Sequence, residues 1–297
     1  MNKDKSLGKP SAGRAPPPMA VEATALAESS RDELSFQTRF ACITLNRDDR
    51  IRLINFNARE VSALVGVLGS VWPIQDVRVC GGAEEIKLQG FPWMERSNGD
   101  DQARRLVRRM LEALYDMGWV LLAAMDVSRG GYGKGDAPHT DSLVFRYENP
   151  PPPACDWLSI SFDRTDKMKI VDAPPGDLAE ALIAEFKANY RLKSHELQDG
   201  RLKLKFHGNR WQASGEESVM SRMLLLSLVG ILENFGYSVY ASVDQVNGSG
   251  LEADVLIVKR MKGWKSGMPT WHQGRTTTCL NYAKDVEATE TASPAAS

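Results

Sequence analysis

The sequence predicts an α+β fold made of two related ββαββαββ repeats, each with a largely antiparallel sheet and two helices. The stretches EIKLQGFPW (85–93) and KLKFHGNRW (203–211) both alternate apolar and polar residues and then read Gly-x-x-Trp. FACITLNRDDRIRLI (40–54) aligns with WLSISFDRTDKMKIV (157–171) at a constant offset of 117 residues. Alternation is typical of half-buried strands, and a fixed offset indicates an internal duplication.

A third alignment extends the duplication through the second helix of each unit. Residues 103–126 and 221–244 share six identities in 24 positions at an offset of 118 residues. Most of the other pairs keep their hydrophobic character. We therefore expect equivalent residues to hold equivalent places in the two units.

Each unit begins with a hairpin of two alternating strands that is closed by a polar turn, RDD or RTD. Helix one follows, because apolar residues recur at helical spacing. These residues are Val61, Leu64, Val65, Leu68 and Val71 in the first unit and Leu178, Leu182 and Phe186 in the second. A second hairpin is predicted from the dipeptides Gly81-Gly82 and Asp199-Gly200.

Helix two follows the Gly-x-x-Trp element and ends at a glycine. In the second unit, Ser214 and Glu217 have the spacing of a capping box, and MLLLSLVGIL (223–232) predicts a buried helix. A final pair of strands closes each unit.

Eight positions are predicted to be structural landmarks: a glycine that leaves the strand, a tryptophan packed at the turn, a glycine after helix two and the aromatic residue that follows it. They are Gly90, Trp93, Gly118 and Trp119 in the first unit and Gly208, Trp211, Gly236 and Tyr237 in the second. A binding site lined by Trp93 and Trp211 is the alternative, and the size of a buried indole favours packing.

Composition divides the chain into five segments. Residues 1–36 are rich in Ala, Ser, Pro and charge, which predicts a disordered N-terminal tail. The first unit spans 37–148, and a linker with four consecutive prolines spans 149–156. The second unit spans 157–260, and 261–297 form a basic-aromatic segment with a disordered C-terminal tail.

Charge and cysteine content limit the class of protein. The 37 basic and 38 acidic side chains argue against a surface that binds nucleic acid as a whole. The four cysteines are far apart without a C-x-x-C pair, so reduced thiols and a cytoplasmic or nuclear location are expected. No secretory signal is expected, and no apolar stretch is long enough for a membrane span.

The motif order resembles a family of tandem-repeat α+β proteins of fungi and other lower eukaryotes. The resemblance depends on IKLQGFPW, LYDMGWVLLAAMDVS and DSLVFR, which are echoed by LKFHGNRW, LENFGYSVYASVDQV and DVLIVKR. It covers residues 40–146 and 157–260, and it implies the repeat boundaries. It supplies no catalytic residue, because no activity is assigned to that family. The second unit departs from its pattern with GNRW for G-x-P-W and with Tyr237 for the tryptophan.

Local motifs predict no catalytic, cofactor-binding or metal-binding residue, and no cofactor. RGGYGKGD (129–136) lacks the Ser or Thr and the following helix of a phosphate-binding loop, so a hairpin loop is predicted. The histidines have no metal-ligand spacing. Asp126 and Asp244 stand at equivalent strand ends, where they cap turns or, as the alternative, act as paired acids or bases.

The segment VKRMKGWKSGMPTWHQGR (258–275) contains the candidate binding residues Trp264, Trp271, Lys262 and Lys265. Such a stretch can stack on single-stranded nucleic acid, lie at an anionic membrane or dock on an acidic partner. In the alternative interpretation its tryptophans pack back on the repeats.

The leading hypothesis is a non-enzymatic binding or scaffold protein that contacts a protein partner. It would use loops or the polar strand faces with Arg50, Arg52, Lys203 and Lys205. The alternative is an enzyme or small-ligand binder with a cleft between the repeats, lined by Asp126, Asp244 or the 129–136 loop. Nucleic-acid binding through the basic-aromatic segment is a third and weaker hypothesis, and the sequence does not predict an oligomeric state.

Overall fold

Alternating strands of the sequence form two six-stranded antiparallel sheets, each with two helices. The computed structural model describes residues 39–93, 101–125, 142–243 and 255–272. Both sheets belong to one compact unit that begins at Phe40. The predicted pair of ββαββαββ repeats is thereby confirmed. No helix in these four ranges is long and apolar enough to cross a bilayer.

The two repeats have the same order of elements. The first contains β1 (Phe40–Asn46), β2 (Arg50–Ile54), α1 (Ala58–Val71), β3 (Ile74–Cys80), β4 (Ala83–Leu88), α2 (Asp101–Asp116), β5 (Trp119–Met125) and β6 (Ser142–Tyr147). The second contains β7 (Cys155–Asp163), β8 (Lys167–Val171), α3 (Gly176–Asn189), β9 (Leu192–Gln198), β10 (Arg201–Phe206), a 3-10 turn (Arg210–Gln212), α4 (Glu216–Asn234), β11 (Ser238–Val243) and β12 (Val255–Met261).

The sheets also share one topology. Sheet 1 has the strand order β3-β4-β2-β1-β6-β5, and sheet 2 has the matching order β9-β10-β8-β7-β12-β11. Even a β-bulge recurs, at Leu122 in β5 and at Tyr240 in β11, where the pairing register shifts. Residues that align between the two halves of the sequence therefore occupy equivalent positions in the two sheets.

The two landmark tryptophans have the same backbone geometry. The Trp93 N–H donates to the Asp48 carbonyl at 3.1 Å, and the Trp211 N–H donates to the equivalent Thr165 carbonyl at 3.0 Å. Their side chains differ in burial. Trp93 is fully buried, whereas Trp211 is half-buried and donates its Nε1–H to the Lys167 carbonyl at 2.7 Å.

One predicted local feature is wrong. Helix α4 has Gly215 as its N-cap and no side-chain cap, so Ser214 and Glu217 form no capping box. The φ of 58° at Gly215 turns the chain at the residue between Ser214 and the helix, so Ser214 is not in the N-cap position. A capping box occurs instead at α1, where Asn57 and Glu60 each accept the other's backbone N–H at 2.9 Å.

Helix α2 lies between the two sheets. It packs on α1 and β5 of its own repeat and also on β7 and β8 of the second repeat. We call the face of a sheet that its own helices cover the inner face, and the opposite one the outer face. The core of the first repeat continues through α2 into Trp157, Tyr240 and Ile257 on the outer face of sheet 2. A second core fills the space between the inner face of sheet 2 and its helices α3 and α4.

The resulting layers are sheet 1, then α1 and α2, then sheet 2, then α3 and α4. Sheet 2 is therefore covered on both sides, and almost every residue of β7 is buried. Within the four described ranges, the stack ends at the outer face of sheet 1 and at the outer surface of α4. These two end surfaces are where a candidate site for a partner has to be sought.

Candidate functional site

The interface between the repeats begins with buried ion pairs at the N-terminal half of α2. Arg104 Nη2 lies 2.5 Å from Asp163 Oδ1 of β7. Asp101 accepts from Arg201 at 2.7 Å and lies 3.5 Å from Lys169. Burial alone would raise the pKa of Asp101, but the hydrogen bond from Arg201 and the neighbouring cations outweigh it and lower that pKa.

A second group of charges follows one turn later on α2. Arg105 Nε lies 3.1 Å from Asp172 Oδ1, and Arg108 Nε lies 2.7 Å from Asp172 Oδ2. Ser159 of β7 donates its hydroxyl to the same carboxylate at 3.3 Å. Positions 101, 104, 105 and 108 of α2 thus form the charged half of the interface.

The C-terminal half of α2 meets an aromatic cluster on sheet 2. The Tyr115 ring packs edge-on against Trp157 and Tyr240, with centroid distances of 5.3 and 5.6 Å. The Tyr240 hydroxyl accepts the Leu121 N–H at 2.8 Å, which ties β11 to β5. This apolar half closes the space between the repeats around α2.

Lys259 of β12 lies inside this cluster and is only 2 % exposed. Its Nζ donates to the Tyr115 hydroxyl at 3.3 Å and lies 3.7 Å from the centroid of the Trp271 ring. Burial lowers the pKa of Lys259 to about 8. Lysines with such a pKa can act as nucleophiles, but this one is enclosed by ring faces, which stabilise its charge through cation–π contacts.

The outer surface of α4 differs from the equivalent surface of α2. At the offset of 118 residues, Asp101, Arg105 and Arg108 correspond to Val219, Met223 and Leu226. These three apolar side chains are 58 %, 48 % and 71 % exposed. We call the exposed apolar residues of this surface the α4 stripe: Val219, Met220, Met223 and Leu226.

The outer face of sheet 1 has a charged half on β2, β3 and β4. Arg52 and Arg78 each lie 2.8 Å from a Glu85 carboxylate oxygen, and Arg50 is ion-paired with the same group. Glu85 is fully buried although no helix of the described residues covers it, because the arginine side chains lie over it. Burial would raise the pKa of Glu85, but the hydrogen bonds from the three arginines bring it down to about 2.

The other half of the outer face of sheet 1 is apolar. Phe40, Leu122 and Met125 are 46 %, 56 % and 41 % exposed, and Val144 lies among their strands. We call these four residues the sheet 1 patch. They correspond to Trp157, Tyr240, Val243 and Ile257 of sheet 2, all of which are buried in the repeat interface.

A pocket of about 370 Å³ lies within the second repeat, between α4, the 3-10 turn and sheet 2. Its lining combines apolar and cationic side chains: Phe162, Trp211, Leu225 and Leu256 with Arg210 and Arg222. Arg210 is 7 % exposed and donates to the Tyr190 carbonyl at 3.3 Å, and its Nε has no hydrogen-bond partner among the described residues. Asp126, Asp244 and the 129–136 loop lie outside the described residues.

The predicted binding residues of the C-terminal segment lie in different surroundings. Trp271 covers Lys259, and Trp264 packs on Gly236 and donates its Nε1–H to the Met268 carbonyl at 3.1 Å. Lys262 and Lys265 are exposed. The two tryptophans thus contact the repeats, and the two lysines face solvent.

The polar strand residues are paired within their own sheets. Arg50 and Arg52 bind Glu85, as described above. Lys203 lies 3.0 Å from Glu196, and Lys205 lies 3.7 Å from Asp166. In the part of the chain that the structure describes, no group of three or more His, Cys, Asp or Glu side chains is placed to hold a metal ion.

Sequence reasoning missed three features: the burial of Glu85, the burial of Lys259 and the α4 stripe. Of these three features, only the α4 stripe could have been predicted from the sequence. One face of a helix with the sequence MLLLSLVGIL can bury only some of its apolar residues, here Leu224, Leu228 and Leu232. The remaining apolar residues therefore have to lie on the other faces of the helix.

One protein-family model, which describes a single domain, matches the chain twice, at residues 39–146 and 156–259. The two matches coincide with the two repeats of the fold. No curated protein and no solved structure shows significant similarity to the chain.

Proposed function

Because this chain belongs to the family of that repeated domain and carries it in tandem, we propose that it is a non-enzymatic binding or scaffold protein. It docks macromolecular partners at the end surfaces of its stack of repeats. The observation that carries this proposal is the α4 stripe, a row of exposed apolar side chains on the last helix that the structure describes.

The spacing of the stripe supports a docking role. Val219, Met223 and Leu226 recur at intervals of four and three residues, so they lie on one face of the helix. A contiguous exposed apolar surface marks a site of interaction with another macromolecule. Burying each of these side chains against a partner is worth about 1.5 to 3 kcal/mol.

The equivalent surface of α2 supports the same role. At the same helical positions α2 docks on a sheet, so this face of the repeat is built to contact a neighbour. In α4 three of the four charged residues of that face are replaced by valine, methionine and leucine, and Arg104 is retained as Arg222. A partner for α4 is therefore expected to present mainly apolar or neutral surface rather than the carboxylates that α2 meets.

The test is a capture experiment with matched variants. The immobilised chain, a Met223→Glu/Leu226→Glu variant and a Leu197→Glu control are each incubated with a native lysate. Leu197 is 54 % exposed on β9, so its substitution adds an acidic group far from α4 in the sequence. Macromolecules retained by the wild type and the control but lost by the double variant support the proposal. If recovery is the same with all three proteins, the proposal fails.

A second candidate is the binding of a small apolar anion in the pocket of the second repeat. It is favoured by the buried Arg210, whose Nε has no hydrogen-bond partner among the described residues, beside the Trp211 ring. Octanoate, with octanol as the uncharged control, should shift the NMR resonance of the Trp211 indole N–H. No shift with octanoate would exclude this candidate.

Two finer expectations also remain proposals. Free thiols at Cys42, Cys80 and Cys155 are compatible with a cytoplasmic or nuclear location. The likeness of the Gly-x-x-Trp motif to tandem-repeat proteins of fungi and other lower eukaryotes indicates where relatives should be sought.

A further inference from the structure

We propose that the partner of the α4 stripe is a second copy of this chain, which presents the outer face of sheet 1. This inference rests on the proposed binding function and names its partner. Within the chain, α2 of the first repeat docks on the outer face of sheet 2. Between chains, α4 of one molecule docks on the outer face of sheet 1 of the next in the same way.

The interface between the repeats provides the template. It has two sides, the outer surface of α2 and the outer face of sheet 2. The duplication gives every chain a second copy of each side. The second helix surface is that of α4, and the second sheet face is that of sheet 1. Both copies lie at the ends of the stack, and neither is covered by a layer of this chain within the described residues.

The substitutions between the copies are matched across the interface. Where α2 has Arg105 and Arg108, the stripe has Met223 and Leu226. The carboxylate that these arginines bind is Asp172, and its equivalent on sheet 1 is the neutral Asn55. Both residues have a left-handed backbone, with φ of 78° and 67°, so they hold the same structural position.

At the centre of the charged half only the sheet side changes, because Arg104 corresponds to Arg222 of α4. Asp163, which binds Arg104, is replaced on sheet 1 by Asn46. Opposite Met223 and Leu226, a carboxylate in the place of Asn55 would be desolvated without a partner, which is costly. The helix therefore loses the two cations that bind Asp172 in the template, and the sheet face loses that carboxylate, while an arginine stays opposite the neutral Asn46.

The apolar halves also correspond. Phe40, Leu122 and Met125 of the sheet 1 patch occupy the places of Trp157, Tyr240 and Val243, which the template interface buries. On sheet 1 the three residues are exposed, as the stripe is on α4. In the template geometry the stripe lies over Asn46 and Asn55, and the sheet 1 patch meets the C-terminal half of α4, where Glu233 takes the place of Tyr115. Docking therefore removes the stripe and the patch from water, each against its own part of the partner surface.

This contact joins two different surfaces, so it is heterologous. Each molecule that docks leaves one free sheet face and one free helix surface at the ends of the assembly. A heterologous contact that does not close into a ring extends into linear oligomers whose length increases with concentration. We therefore expect a size distribution that depends on concentration, rather than a single dimer.

Sedimentation velocity of the full chain over a wide concentration range tests this inference. The helix variant is Met223→Glu/Leu226→Glu, the sheet variant is Leu122→Glu, and the control is Leu197→Glu. Circular dichroism first establishes that each variant is folded. The wild type and the control are expected to form oligomers, and each interface variant alone should associate at least about tenfold more weakly.

The decisive experiment is to mix the two interface variants. The sheet variant retains an intact α4, and the helix variant retains an intact sheet 1, so an equimolar mixture should form dimers and no longer species. Association that the helix variant abolishes but the sheet variant leaves intact would indicate a symmetric contact between α4 helices and would overturn the inference.

A wild type that stays monomeric at every concentration would also overturn the inference. If that monomer still captures a partner in a way that depends on the stripe, the proposed binding function stands with a different partner. If the stripe captures nothing and the chain stays monomeric, both proposals fail.

Discussion

Arg104 of α2 and Asp163 of β7 form a buried ion pair that joins the two repeats, with 2.5 Å between Nη2 and Oδ1. Their side chains are 5 % and 7 % exposed. Asp163 also lies 2.9 Å from Lys169, so the pair belongs to a larger network. In the duplicated register Arg104 aligns with Arg222 of α4, the same residue type at the same helical position, which is exposed.

These two arginines allow a matched test of the interface. Arg104→Met should lower the free energy of unfolding by about 3 kcal/mol, because it leaves a buried carboxylate with one cation fewer. Arg222→Met should change it by less than about 0.5 kcal/mol, as is usual for surface positions. Urea denaturation at neutral pH and low protein concentration measures both changes. Equal costs for the two variants would show that the buried pair does not hold the repeats together.

The sequence predicted the repeats well but not the way they stack. Alternation and turn dipeptides depend on neighbours in the chain, so the hairpins at Gly81-Gly82 and Asp199-Gly200 could be predicted. The charged residues Arg104, Arg105 and Arg108 look like a solvated helix face in the sequence. Their partners lie about sixty residues farther along, and no local pattern connects them.

The candidate surfaces were predicted only in part, for the same physical reason. MLLLSLVGIL correctly predicted a helix, but the expectation of a buried helix was wrong on one face, because Leu226 is 71 % exposed. Whether an apolar helix face is covered depends on which layer follows it in the stack. Among the described residues, no layer follows α4 to cover this face.

Glu85 should make stability depend on pH in the acidic range. Its pKa of about 2 in the folded protein lies below the ordinary value of 4.5, so its contribution is present above pH 4.5 and is lost as the pH falls towards 2. Glu85→Gln should lower the free energy of unfolding at pH 7 by about 2 kcal/mol, because charged hydrogen bonds are lost.

The difference between the wild type and Glu85→Gln should therefore shrink as the pH falls from about 5 to about 2. Glu196→Gln is the control, because its ion pair with Lys203 is exposed and contributes little. Denaturant unfolding at several pH values gives the difference for each variant. A Glu85 difference that is constant over this range would contradict the assigned role of the arginines.

Lys259 should also make stability increase with pH, but in the alkaline range. Its pKa of about 8 lies below the ordinary 10.5, so the unfolded chain binds more protons between these values. The contribution of Lys259 to stability therefore rises as the pH increases through 8. Relative to Lys259→Met, the wild type should gain about 2 kcal/mol between about pH 7.5 and 9.5.

Comparison with the methionine variant is needed because other groups near Lys259 also titrate. Burial raises the pKa of the Cys155 thiol and of the Tyr115 and Tyr240 hydroxyls, and these groups are present in both proteins. Lys205→Met on the partly exposed strand β10 is the control and should show no such gain. A wild-type advantage that stays constant over this interval would mean that Lys259 is held charged.

Gly236 should be less tolerant of alanine than its matched control, Gly208. Both residues have a left-handed backbone, with φ of 78° and 79°. A Cβ at Gly208 would meet nothing within 4 Å, whereas a Cβ at Gly236 would lie 2.3 Å from the Trp264 ring. Gly208→Ala should lower the free energy of unfolding by about 1 to 2 kcal/mol through backbone strain alone. Gly236→Ala should lower it further, because the Trp264 ring has to move.

In Gly236→Ala the segment around Trp264 should also become easier to cleave, and limited proteolysis with mass spectrometry detects this. If the two variants had equal stability and the same cleavage pattern, Trp264 would not be packed on the second repeat in solution.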